Sequence, residues 1–327
     1  MLQINVSLPS GQSDTFSLPQ SYRVGYLRVL AQKSFRRGFL RLVAADHSVV
    51  DPTKSLQDAG LEDGDHLTAI VLEAKVAATK RAFALFCPGG DRVVTWGDRI
   101  YGGDSSEVQD QLKFVQQVQA SVNAFAAILA DGSVVTWGNS CGGGDSSEVQ
   151  DRLKGVQQVQ AAYGAFAAIL AGESVVTWGD PDCGGDSSAV QDQLKSVQQV
   201  QGTRVLSNLG AGAFAAILTD GSVVTWGDPG YGGDSSEVQD QLKSVQQVQA
   251  TNRAFAAILA DGSVVTWGSP DYGGDSSRVQ HQLKGVQQVQ STYMAFAAIL
   301  ADGSVVTWGD SFCGGDGSAV SDQCADL

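Results

Sequence analysis

One phrase recurs six times along this chain of 327 residues and constrains the fold more than any other feature. Trp96, Trp137, Trp178, Trp226, Trp267 and Trp308 stand 41, 41, 48, 41 and 41 residues apart. Around the last five of them VQQVQ, AFAAIL, a two-residue turn that is DG in four copies, and SVVTWG return in the same order, followed by GGDSS and a VQDQLK-like segment as from Val115 to Lys154. The first copy carries AFALF and VVTWG at the matching places. Self-similarity at this period means one supersecondary unit per copy, stacked on its neighbours. The single interval of 48 residues reads as the same unit with a longer loop at 202–212.

Each copy reads as short strands. Val134-Val135-Thr136-Trp137 is β-branched and aromatic and too short for a stable helix. AFAAIL alone could be helical, but the following Asp131-Gly132 and SVVTWG make it the first arm of a hairpin with a type I′ turn. In the third copy Gly172-Glu173 replaces Asp-Gly, which predicts a type II′ turn there. In the first copy Pro88-Gly89-Gly90-Asp91 predicts a turn one residue longer.

Both faces of these strands are apolar. Phe125, Ala127 and Leu129 face one way and Ala126 and Ile128 the other, while Val135 and Trp137 alternate with Val134 and Thr136. A sheet apolar on both sides must lie between neighbours, so a ring of small sheets is expected over residues 74–327, with the alanine strand innermost. Six copies imply a six-bladed all-β propeller, with a seventh blade built from the termini as the alternative. An open solenoid is the competing arrangement, but it would need polar caps, which the sequence does not display.

The phrase AFAAILADGSVVTWGNSCGGG resembles the regulator of chromosome condensation repeat, most specifically in its DG-x-V-x-x-W-G core, over about residues 76–327. The resemblance implies a propeller, seven-bladed in that family. Two departures stand out: Ala124-Phe125 lies near the place of the family's His, and GGDSS replaces its G-Q-L-G.

Residues 1–73 are different. A hairpin around Ser10-Gly11-Gln12 leads to a helix through about Phe35, with Ser21 as its cap and Val24, Leu27, Leu30 and Ala31 on one face. Strand-like Leu40–Val43 and Thr68–Leu72 complete a ββαββ order. That order and the phrase SLQDAGLEDGDHLTAIV resemble ubiquitin-like domains, which implies an α+β β-grasp fold. Glu73-Ala74-Lys75 follows instead of a terminal Gly-Gly, so the resemblance is to integral docking handles rather than to conjugated modifiers. Leu40 and Leu42 could belong to its core or to a surface patch.

Charge and chemistry narrow the function. Residues 1–75 carry eight basic and eight acidic side chains; the rest carry 13 against 27, so the whole net charge of −14 lies in the repeats. An acidic body repels phosphate backbones, which argues against nucleic acid. No apolar run is long enough to span a membrane. The start of the chain reads as a strand rather than a secretory signal, and five cysteines without a CxxC pair read as free thiols. A cytoplasmic or nuclear monomer without cofactor is therefore expected. His47, His66 and His281 make no catalytic constellation, so no enzyme is expected. Asp104, Asp145, Asp186, Asp234, Asp275 and Asp316 could form a cation rim, but Gln191 stands where a bidentate Glu is needed, and an Asx turn is the simpler account.

Variation among near-identical copies marks the candidate contact residues. They are Tyr101, Tyr231 and Tyr272 in the loop after Trp-Gly, and Asn123, Tyr163, Arg253 and Tyr293 just before AFAAIL. Together these readings predict a non-enzymatic interaction scaffold, with a propeller rim binding a protein partner and the N-terminal domain docking it, in the ubiquitin pathway. The resemblance also implies two alternatives: an accessory part or fragment of a HERC-type ubiquitin ligase, with Cys324 in a short acidic tail, and a guanine-nucleotide exchange factor for a small GTPase. Enzyme inhibition is a fourth class, because a bacterial β-lactamase inhibitor carries similar repeats.

Overall fold

A computed structural model describes residues 1–90, 92–203 and 210–317. Most of the longer loop at 202–212, Asp91 of the first-copy turn, and Cys324 lie outside the described residues. The chain divides into two compact units. One comprises Met1–Val76, Leu85–Val93 and Lys113–Val115; the other comprises Ala77–Ala84, Val94–Leu112 and Gln116–Leu327.

In the first unit β1 (Leu2–Ser7), β2 (Ser13–Leu18), β3 (Phe39–Val43) and β4 (His66–Leu72) form one sheet in the order β2-β1-β4-β3. β1 and β4 run parallel and the outer pairs antiparallel. Helix α1 (Val24–Phe35) buries Val24, Leu27, Ala31 and Phe35 in a core with Ile4, Leu40, Leu42, Leu56 and Leu67. Leu40 and Leu42 are therefore core. The expected Ser21 cap is absent, because the helix begins at Val24 with Arg23 at the N-cap and no side-chain bond. The Lys54 and Pro52 carbonyls accept the Val24 and Gly25 N–H groups instead, at 3.0 and 2.9 Å. Backbone from a distant loop meets the need that a serine meets locally.

The repeats are six three-stranded sheets in series, a propeller-like all-β arrangement. Val115–Ala120, Ala124–Leu129 and Val134–Gly138 make the second sheet; the same three segments recur in the four later sheets, and Lys75–Ala78, Ala82–Phe86 and Val93–Gly97 make the first. The alanine strand is the middle strand of each sheet. The free edge of VVTWG is covered by its own GGDSS segment. Thr136 Oγ1 meets Ser146 Oγ at 3.0 Å, Ser146 Oγ donates to Gln150 Oε1, and Gln150 Nε2 donates to the Val134 carbonyl. That polar clip explains the Ser and Gln of the phrase, and it closes a strand edge that would otherwise be open to pairing.

The hairpin turns differ from expectation. The loop is three residues, Ala130 to Gly132, with Gly132 N–H donating to the Leu129 carbonyl and only Gly132, at φ 77°, left-handed. This is a type I turn closed by a left-handed residue, not type I′. Asp131 Oδ1 accepts from the N–H and hydroxyl of Ser133, at 2.9 and 2.6 Å, a bond that favours this shape. The third copy keeps the same turn. Gly172 is not left-handed, and Glu173 takes the left-handed position at φ 59°.

Consecutive sheets pack face to face, and each junction joins two unlike surfaces. Ala124, Ala126, Ile128 and Val134 of the second repeat meet Phe166, Ala168, Val176 and Trp178 of the third. The later junctions repeat this pairing of a small face with an aromatic one. The aromatic pair is a parallel stack, Phe166 on Trp178 at 5.2 Å and 18°. It rests on the first glycine of the preceding Gly-Gly, and the Trp178 indole N–H donates to the Gly143 carbonyl at 3.0 Å. At the next junction a Cβ on Gly184 would stand 2.7 Å from Phe214, so the close approach requires glycine.

Five tryptophans are buried as expected, but Trp96 is 45% exposed and its stacking partner Phe83 44% exposed. Trp96 is in the first repeat, so there is no earlier repeat for it to rest on.

Candidate functional site

The two variable segments converge at the end of each sheet where the alanine strand begins. The connection is a hydroxyl. Thr251 Oγ1 accepts from Ala254 N–H at 3.1 Å and donates to the Tyr272 carbonyl at 2.9 Å. Ser121, Thr292 and Thr79 tie their alanine strands to Gly142, Cys313 and Tyr101 in the same way. Residues about twenty positions apart in sequence are thereby held side by side.

An aromatic and cationic cluster results. The Arg253 guanidinium lies 4.6 Å from the Tyr231 ring centre and 5.1 Å from that of Tyr272, so one cation spans two consecutive repeats. Tyr272 meets the Tyr293 ring edge-on at 5.9 Å. Arg81 covers Tyr101 at 5.1 Å and pairs with Asp98 at 3.7 Å, an exposed ion pair of little energetic weight. Burial raises the Tyr163 hydroxyl above its ordinary value, and Cys183, Tyr101 and Tyr231 add to the rise. Four predicted residues, Tyr231, Arg253, Tyr272 and Tyr293, thus form one contiguous group, while Tyr163 senses Tyr101 and Tyr231 electrostatically.

Asn123 lies against Gly142, the position that carries a tyrosine in other repeats. A side chain at Gly142 would collide with its Oδ1, so Asn123 fills the space that Tyr101, Tyr231 and Tyr272 take in other repeats. Arg81 was missed by the sequence reading, although it occupies the same repeat position as Arg253. Asn252 is 1% exposed. Its Nδ2, Arg253 Nε and Asn123 Oδ1 are buried with no hydrogen-bond partner among the described residues. Such groups carry a desolvation cost that a ligand offering complementary atoms would relieve.

Burial, reinforced by Asp180, pushes the Cys183 thiol up to about 12, so it carries negligible thiolate at neutral pH. Asp104, Asp145, Asp186, Asp234 and Asp275 accept from the N–H two residues on, at 2.8–3.0 Å, as Asx turns do. Those bonds lower each carboxyl below its ordinary value. No group of three or more His, Cys, Asp or Glu suited to a metal ion occurs among the described residues, and no helix among them is long and apolar enough to cross a membrane.

No family model matches the chain, and no curated protein matches it. Among solved structures it is similar to human WBSCR16, with 17% identity and a TM-score of 0.46 over 76% of this chain and 81% of that one. It is also similar to the ectodomain of the receptor kinase CR4 from Physcomitrella patens, with 14% identity and a TM-score of 0.42 over 73% of this chain and 62% of that one.

Proposed function

We propose that this protein is a non-enzymatic scaffold that binds a protein partner through the tyrosine–arginine cluster of its repeats. The carrying observation is Arg253, held over two tyrosines of consecutive repeats with its Nε buried and unpartnered. Tyr and Arg are the residue types that concentrate binding energy in interfaces. Asp98, Asp180, Asp228 and Asp310 cap the short helical turns that carry the variable loop position of their repeats, and their charge favours a partner segment with basic residues at its margin.

The first unit acts in this proposal as a ubiquitin-like docking handle, placing the protein in the ubiquitin pathway. Its mixed sheet with one helix on a single face supports that reading. Phe39 and Ile70, exposed apolar residues on the other face of the sheet, are what such a handle would offer.

Affinity capture with the wild type and a Tyr231→Ala/Arg253→Ala/Tyr272→Ala variant tests the main claim. A protein retained by the wild type and lost by the folded variant is the expected result. Equal retention by both overturns the assignment of the cluster, and no specific retention by either overturns the scaffold reading.

A further inference from the structure

The series of repeats begins and ends on unlike surfaces, and among the described residues nothing covers either. At the start stands the aromatic half of a junction: Phe83 and Trp96, with Val94 also about half exposed. The pair is already stacked at 5.3 Å and 21°, within the 5.0–5.3 Å range of the buried pairs. At the other end stands the small half. Ile299 is 41% exposed, where Ile128, Ile169, Ile217 and Ile258 are 2–5% exposed. Gly314, the counterpart of the glycines on which each phenylalanine rests, has nothing within 4 Å of where its Cβ would be.

We propose that these two ends pair head to tail between copies of this chain, so that the partner of each face is a second copy. The argument is continuity with the junctions inside the molecule. AFAAIL and VVTWG segments form both halves of the junctions from the second repeat to the sixth, and the exposed head carries the matching Phe83, Val94 and Trp96, so the exposed halves already have the shape and chemistry of partners. In the pairing, Phe83 settles over Gly314 and the Trp96 indole N–H reaches the Gly314 carbonyl, as Phe166 and Trp178 do at Gly143. Unlike faces make a heterologous interface, which propagates into chains or closes into rings. The net charge of −14 opposes the approach, so added salt should strengthen association. This departs from the monomer expected from sequence and does not depend on the partner-binding proposal.

Sedimentation velocity from micromolar to near-millimolar protein tests it. The wild type should sediment faster as concentration rises, and more so at high salt. Trp96→Glu and Ile299→Glu alter exposed positions, so both should keep the wild-type circular dichroism, and each alone should lose association. Phe83→Asp provides a second head variant should Trp96→Glu not fold. An equimolar mixture of a head variant with Ile299→Glu should give a one-to-one dimer and nothing larger, because only one good head and one good tail remain. A wild type that stays monomeric overturns the proposal, as does a single variant that still associates or a mixture that stays monomeric. A monomer whose Trp96 resists acrylamide quenching would mean that the ends meet within one chain, which also overturns it.

Discussion

Ile128 and Ile299 hold the same place in the same six-residue strand, yet one is sealed by the next repeat and the other is 41% exposed. Trp178 and Trp96 make the matching contrast on the opposite face, at 4% and 45% exposure. Local sequence is identical in the first pair and nearly so in the second. Burial in a repeat array therefore belongs to the junction rather than to the residue, as nearest-neighbour energetics requires.

The sharpest test of that contrast is truncation. Trp178→Ala should lower stability by about 3–5 kcal/mol, whereas Trp96→Ala should cost about 1 kcal/mol or less in dilute protein, where no second copy covers it. Urea unfolding followed by circular dichroism measures both, and equal losses would mean that the first repeat is covered after all.

Glycine gives the next largest difference. Gly184→Ala places a Cβ 2.7 Å from Phe214 on a backbone at φ 85°. Clash and strain together should cost about 2–4 kcal/mol. Gly314→Ala at φ 98° meets nothing, so only the left-handed penalty of about 1 kcal/mol applies. Comparing the two urea midpoints separates packing from backbone strain.

A smaller effect compares turns. Glu173 is held left-handed where the second, fourth, fifth and sixth repeats use Gly132, Gly221, Gly262 and Gly303. Glu173→Gly should therefore stabilise by about 0.5–1 kcal/mol, the relief of strain exceeding the entropy glycine adds to the unfolded chain. A loss of stability would show that Glu173 has a role beyond the turn.

The smallest effect concerns acid. Asp131, Asp220, Asp261 and Asp302 are lowered from 3.8, chiefly by the Ser hydroxyls and then by the Ser N–H groups. A carboxyl lowered in the folded state adds stability above its unfolded value and loses it as pH falls through the folded one. Thermal melts should therefore decline below about pH 4, and Asp131→Asn should flatten that decline slightly. The third repeat has Gly172 at this position and contributes no such step.

Much of this was legible in the chain itself. The period, the strands, the two apolar faces and the Asx turns follow from residue order, because side-chain alternation and turn chemistry are local. The type I′ reading failed because Asp-Gly alone does not reveal that Ala130 is also in the loop, nor that Ser133 pins Asp131. Ser21 failed as a cap because the Pro52 and Lys54 carbonyls arrive from far along the chain. At the candidate site, variation between copies pointed to the tyrosines and to Arg253. It could not show that the two variable segments adjoin, since the hydroxyls of Thr79, Ser121, Thr251 and Thr292 reach the neighbouring loop only once the chain is folded.

The order of residues thus determined what each repeat is: a small sheet, apolar on both sides, with one aromatic face and one alanine-rich face. Only the tertiary structure decided which faces are buried, which tyrosines share an arginine, and that nothing among the described residues covers the first and last faces. The reason is physical: whether an apolar surface is removed from water depends on what stands opposite it, and six near-identical phrases cannot say which of them has no neighbour.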